Sequence, residues 1–141
     1  MNWHRTDFPA TPSAARDGVV GLVSQLAGEG VKREALDSIE IVLSEVVNNI
    51  VEHAYAKHQE GDVQVQYCLT RRVLDVRVLD SGDRLPNDSL PEGKLPSLDV
   101  PTSELPEGGF GWGLIRTLAS DVHYRREDGR NRLALRFDLC E

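Results

Sequence analysis

The hydrophobic period of the chain changes once, near Gly61, and that change limits the folds open to it. Before it, Leu36, Ile39, Leu43, Val46, Val47, Ile50 and Ala54 recur at helical spacing and form one broad apolar stripe. After it, Val63, Val65 and Tyr67 alternate with Gln64, Gln66 and Cys68, and Leu74, Val76 and Val78 alternate with Asp75 and Arg77. A segment with a 3.6-residue period cannot exchange roles with one of period two, because side chains would leave the buried face. Helices and strands therefore segregate along the sequence.

The remaining elements follow from local signals. Trp3 to Phe8 reads as a short strand closed by Pro9. Thr11 before Pro12 is a helix start, since the hydroxyl caps and the proline lacks an N–H the first turn would leave unused. That helix should run to Ala27 and stop at Gly28–Gly30. A second helix should cover Lys32 to Ala56, with Ser38, Glu45, Asn49, Glu52 and His53 opposite its apolar stripe. Thr70–Arg72 suits a hairpin turn. Gly113 to Ser120 reads as a helix, and strands at Val122–Arg126 and Arg132–Leu139 flank a turn at Asp128–Gly129. The order β-α-α-β-β-loop-α-β-β predicts an α+β fold, a two-layer sandwich of a mixed or antiparallel sheet covered on one face by helices.

A length of 141 residues fits a single domain with a real core. No apolar run reaches the ~20 residues of a spanning helix. The first residues lack the apolar stretch of a signal peptide. Cys68 and Cys140 form neither a disulfide framework nor a zinc motif. A cytoplasmic chain with free thiols, not associated with membrane, is the expectation. A net charge of −7 opposes direct nucleic-acid binding, which needs a basic surface. Arg125, Arg126, Arg130, Arg132 and Arg136 cluster, and the ordinary account of them is a solvated hairpin face.

Three constellations can carry chemistry. Glu45 and Asn49 stand one helical turn apart, a carboxylate and an amide oxygen able to polarise a nucleophile and ligate a hard cation. Asp80-Ser81-Gly82 ends a hydrophobic strand; its carboxylate can accept from an exocyclic amine, and its glycine admits a flat ring. Gly108 to Gly113 alternates glycines just ahead of a helix, where backbone N–H groups and the helix dipole suit phosphate. Taken singly, each has an ordinary alternative: a solvated helix face, a strand-to-loop turn, a bare glycine turn. Between the last two lies Ser81–Glu107, which holds five of the seven prolines and no periodicity; a loop of that length is unusual without a function.

In order and spacing together, these segments resemble the N, G1 and G2 boxes of the GHKL (Bergerat-fold) ATPases. SEVVNNIVEHAY, DSG and GGFGWGLIRTLASDVHY are most similar to those of the anti-sigma factor serine/threonine kinases, and the resemblance covers Phe8 to Phe137. It implies ATP and Mg²⁺ as cofactors, with Glu45 as the catalytic carboxylate and Asn49 as the metal ligand. Asp80 and Gly82 would hold the adenine, and Gly109, Gly111 and Gly113 the phosphates, with His53 a further nucleotide contact on the Asn49 helix. An ATP lid would occupy about 83–107. The implied activity is phosphorylation of an anti-anti-sigma (STAS-domain) partner, with a sigma factor held in another state. A non-catalytic, nucleotide-sensitive sequestering module is the alternative. The resemblance further implies a homodimer, for which Trp3 and Phe8 hint at a pairing edge. The chain departs from the pattern at Arg84, where many relatives have glycine or proline, and in an acidic lid (Glu92, Asp99, Glu104, Glu107).

Overall fold

The computed structural model of the protein describes residues 2–54, 61–85, 89–91 and 110–139. Strand β1 (His4–Pro9) leads into helices α1 (Pro12–Gly28) and α2 (Arg33–Asn49). Strands β2 (Asp62–Leu69) and β3 (Val73–Asp80) come next, then helix α3 (Phe110–Leu118) and strands β4 (Asp121–Glu127) and β5 (Arg130–Asp138). The five strands lie in the order β1-β2-β3-β5-β4, with every pair antiparallel. The predicted α+β sandwich is correct, and the sheet is antiparallel throughout.

The helix ends are set by the expected devices. Thr11 Oγ1 accepts from Ala14 N at 3.2 Å, with Pro12 in the first turn of α1. At the other end Gly30 adopts φ +96°. The N–H groups of Gly30 and Val31 then reach back to the carbonyls of Ala27 and Leu26, each at 3.1 Å. That pairing is a Schellman stop, and it turns Val31 inward against the core. At the β4–β5 turn, Asp128 (φ 53°) and Gly129 (φ 75°) both adopt positive φ, the geometry whose twist matches a two-residue hairpin.

Helix α2 differs from expectation. Its α-helical hydrogen bonding ends at Asn49, and the chain continues as one π turn, Ile50–Ala54. Over five residues a wider turn keeps the apolar residues close to the same stripe, so periodicity does not distinguish the two. The end predicted at Ala56 lies outside the described residues. The start of α3 also differs: it begins at Phe110, so Gly111 and Gly113 belong to its first turn.

The core lies between the helices and one sheet face. Leu26, Ile39, Val42, Leu43, Val46 and Val47 meet Val63, Val65, Leu74, Val76 and Val78, all almost wholly buried. Phe8 faces this core, 9% exposed, although its strand β1 lies at one edge of the sheet. Helix α1 crosses β1 at Gly18, where an added β-carbon would meet the Phe8 ring at 2.6 Å. Cys68 is a buried free thiol, and Cys140 lies outside the described residues. Among the described residues no helix is long and apolar enough to cross a membrane.

Candidate functional site

The inward positions of β3 run Leu74, Val76, Val78, Asp80, and those of β5 run Asn131, Leu133, Leu135, Phe137. Each strand thus breaks its apolar alternation once, at the same end of the sheet. The register puts Asp80 opposite Asn131, and Asn131 opposite Arg126 on β4. A polar row is formed where hydrophobic packing stops.

That row borders a cavity of about 430 Å³. Val46 and Asn49 of α2, with Ile50 of the π turn, face Asp80, Tyr124, Asn131 and Leu133 of the sheet across it. Asp83, Arg84, Leu85 and Pro91 of the loop after β3, with Trp112 of α3, complete the lining. Mostly apolar walls with a few convergent polar groups are the usual makeup of a small-molecule site.

Asp80 is 3% exposed. Its Oδ1 accepts from Gly82 N and from Asn131 Nδ2, both at 2.9 Å. Burial pushes the Asp80 carboxyl above its ordinary pKa, against the opposing pull of those two hydrogen bonds and of Arg126 and Arg130. Asn131 also donates to Asp83 O at 2.8 Å, while its Oδ1 accepts from Tyr124 Oη at 2.6 Å and Arg126 Nη1 at 3.1 Å. Arg126 reaches Gly82 O at 2.7 Å, and Tyr124 Oη accepts from Leu85 N at 3.1 Å. These contacts pin the start of the long loop to β4 and β5. Further on, Arg116 of α3 donates to Pro91 O at 2.9 Å.

On α2 the solvent face is Asp37, Glu40, Ile41 and Asn48, whereas Ser38, Glu45 and Asn49 are half-buried. The expectation that Glu45 and Asn49 lie opposite the stripe is corrected: they occupy its flank, turned toward the site end of the sheet. Asn49 Nδ2 is buried with no hydrogen-bond partner among the described residues. A buried amide left this way costs about 1–3 kcal/mol unless a ligand satisfies it. Glu45 stands one turn before Asn49 and packs against Gly111, where a β-carbon would lie 2.5 Å from its Oε2. Among the described residues no group of three His, Cys, Asp or Glu could hold a metal ion. A cation here would need Asn49 together with oxygens of a ligand.

The fold thus brings Asn49 and Asp80 to one cavity, with Glu45 and Gly111 in contact beside it. Gly82 spends its N–H on Asp80. Gly113 is buried in the first turn of α3, its carbonyl accepting from Thr117 Oγ1 at 2.7 Å. His53 falls in the π turn, and its side chain lies outside the description, as do Gly109 and most of the lid. Sequence reasoning missed Asn131, Tyr124, Arg126 and Trp112. Arg126 is not part of a solvated face as expected; it turns inward. The available signal was a polar residue on the inward beat of an otherwise apolar strand.

Residues 8–137 match the family described as histidine kinase-like ATPase domain. A Listeria monocytogenes protein, serine-protein kinase RsbW, is 30% identical over 123 residues, covering 86% of this chain and 78% of that one. Among solved structures, the RsbU and RsbW domains of a Mycobacterium tuberculosis protein superpose with a TM-score of 0.68 at 22% identity. That match covers 99% of this chain and 33% of the longer one. The SiaB–SiaC complex from Pseudomonas aeruginosa gives 0.59 at 18% identity, covering 96% and 89%. The last two are likenesses of fold alone. By its matched residues and its RsbW relative, the chain belongs to the histidine kinase-like ATPase domain family, alongside the RsbW serine-protein kinases.

Proposed function

We propose that the protein is a serine/threonine protein kinase that binds ATP in the cavity between α2 and the β3–β5–β4 end of the sheet. Its target is an anti-anti-sigma (STAS-domain) partner, and in another state it sequesters a sigma factor. The observation that carries the nucleotide assignment is the buried Asp80 carboxylate, fixed at the edge of a cavity that Asn49 also lines, the Asn49 Nδ2 having no partner among the described residues. RsbW relatives named as serine-protein kinases support the activity, and the SiaB–SiaC complex is a precedent of fold for pairing with a second protein.

In this reading Asp80 Oδ2 accepts from the adenine amine, since both protein donors are on Oδ1. Leu133, Ile50 and Trp112 supply apolar walls for the base. Asn49 turns its amide oxygen to Mg²⁺, which neutralises triphosphate charge when bound. Glu45 takes or orients the proton of the attacking hydroxyl. Gly109, Gly111 and Gly113 with the N-terminus of α3 hold the phosphates, His53 contributes from the α2 side, and a lid over about 83–107 closes the site. Phosphoryl transfer asks mainly for positioning and charge neutralisation, so this set suffices. The setting is the cytoplasm, and a homodimer is the assembly.

Incubation with γ-labelled ATP, Mg²⁺ and a STAS-domain partner tests the proposal. Label on a partner serine or threonine is expected. Tight ATP binding with no label transferred would identify a sequestering module instead.

A further inference from the structure

We infer that Arg84 is a nucleotide-binding residue of this chain, whose guanidinium meets the phosphate end of the ligand and makes affinity depend on phosphate charge. The inference rests on the nucleotide reading above and deepens it.

A nucleotide brings several negative charges, and this chain opposes them. Its net charge is −7, and the described lining of the cavity holds two carboxylates, Asp80 and Asp83. Arg84 is the one cationic side chain among the described lining residues. Neighbouring arginines act elsewhere. Arg126 donates to Gly82 O and Asn131 Oδ1, Arg116 donates to Pro91 O, and Arg125 pairs with Glu127 at 3.2 Å. None of these three lines the cavity.

Burial decides which part of the ligand Arg84 serves. Asp80 and Asn131 are buried, whereas Arg84 is exposed. A base belongs in the buried, mostly apolar part, and phosphates keep to the hydrated side, where an exposed cation stands. The backbone on either side of Arg84 is also held. Asn131 Nδ2 donates to Asp83 O at 2.8 Å, and Tyr124 Oη accepts from Leu85 N at 3.1 Å. A guanidinium presented from a pinned backbone loses less freedom when it closes on a ligand. Its planar fork matches two phosphate oxygens at once. Glycine or proline at this position, as in many relatives, offers no side-chain donor and no charge. The contribution therefore belongs to this chain and not to the pattern it resembles.

The test titrates adenosine, AMP, ADP and ATP into the whole chain with Mg²⁺ present, at about 0.03 M and about 0.5 M salt. Arg84→Gln keeps a hydrogen-bonding side chain without the charge, and Arg84→Lys keeps the charge without the fork. Arg125→Gln removes an equal charge outside the cavity. Arg84→Gln should weaken ATP by about tenfold at the lower salt and about threefold or less at the higher, with adenosine within about twofold of wild type. AMP and ADP should fall between. Arg84→Lys should stay within about threefold of wild type for ATP, and Arg125→Gln within about twofold. Melting without nucleotide should be unchanged, because Arg84 is exposed. Equal loss of adenosine and ATP in Arg84→Gln would put Arg84 on the base or in the fold. A loss of ATP no greater than that in Arg125→Gln would make it a solvated surface charge. Either result overturns the inference while the nucleotide reading stands. Wild type that binds none of these ligands would overturn the nucleotide reading, and the inference with it.

Discussion

Gly111 in the first turn of α3 packs so closely on Glu45 of α2 that a β-carbon on it would lie 2.5 Å from the Oε2 of that carboxylate. The atom in the way is the far end of a flexible side chain, so alanine at 111 displaces Glu45 without opening the fold. Alanine also suits a helix better than glycine by about 1 kcal/mol. Gly111→Ala is therefore expected to keep or raise thermal stability while slowing phosphoryl transfer by about tenfold or more. Single-turnover transfer to the partner, with ATP affinity measured in parallel, checks this; an unchanged rate would remove Glu45 from the chemistry.

Asp80 is expected to cost folding stability. Its folded pKa is raised by burial, so the native state holds this proton more tightly than the unfolded chain does. The cost is absent below the unfolded carboxyl value and grows as pH rises through the folded one. An asparagine in its place would keep an oxygen for Gly82 N and Asn131 Nδ2 without the buried charge. Urea unfolding of Asp80→Asn should show equal or greater stability than wild type at neutral pH, with the gap closing toward about pH 4.

Tyr67 donates to Glu29 Oε2 at 3.0 Å and stacks on His4, tying β2 to the end of α1. Burial, followed by the hydrogen bond and charge of Glu29, pushes its hydroxyl from 10.0 up to about 12. Stability from the protonated phenol is complete below the unfolded value and is lost as pH rises through the folded one. Tyr67→Phe should lose about 0.5–1.5 kcal/mol at neutral pH. It should also flatten the fall in stability that wild type shows between those two values.

Two glycines of α1 should respond in opposite directions. At Gly18 a β-carbon meets the Phe8 ring at 2.6 Å, whereas at Gly21 nothing lies within 4 Å. The helix-propensity gain of about 1 kcal/mol applies to both, and overpacking of about 1–3 kcal/mol applies to Gly18 alone. Chemical denaturation should find Gly21→Ala stabilised and Gly18→Ala destabilised.

The sequence revealed the fold through its periods, because the Leu36–Ile50 stripe and the alternations around Val65, Val76 and Leu133 decide which faces are buried. Punctuation at Thr11–Pro12, Gly30 and Asp128–Gly129 placed the turns. Asn49 and Asp80 were legible as residue types at fixed spacings. The site's support was not, because it depends on strand register: nothing local in Arg125–Arg126 says that the second arginine turns inward to Gly82. The π turn after Asn49 escaped for a different reason, since five residues are too few for periodicity to resolve its pitch. The contact of Gly111 with Glu45 joins segments far apart in the chain and appears only once α3 docks on α2.

The central claim, that this cavity holds ATP by its adenine at Asp80, is tested most directly by calorimetric titration of ATP with Mg²⁺ into wild type and Asp80→Asn. The amide in that variant must turn its NH₂ toward the ligand's own amine, because Asn131 and Gly82 take its oxygen. A loss of at least about tenfold in affinity is expected in a variant that stays folded. Equal affinity in the two proteins would contradict it.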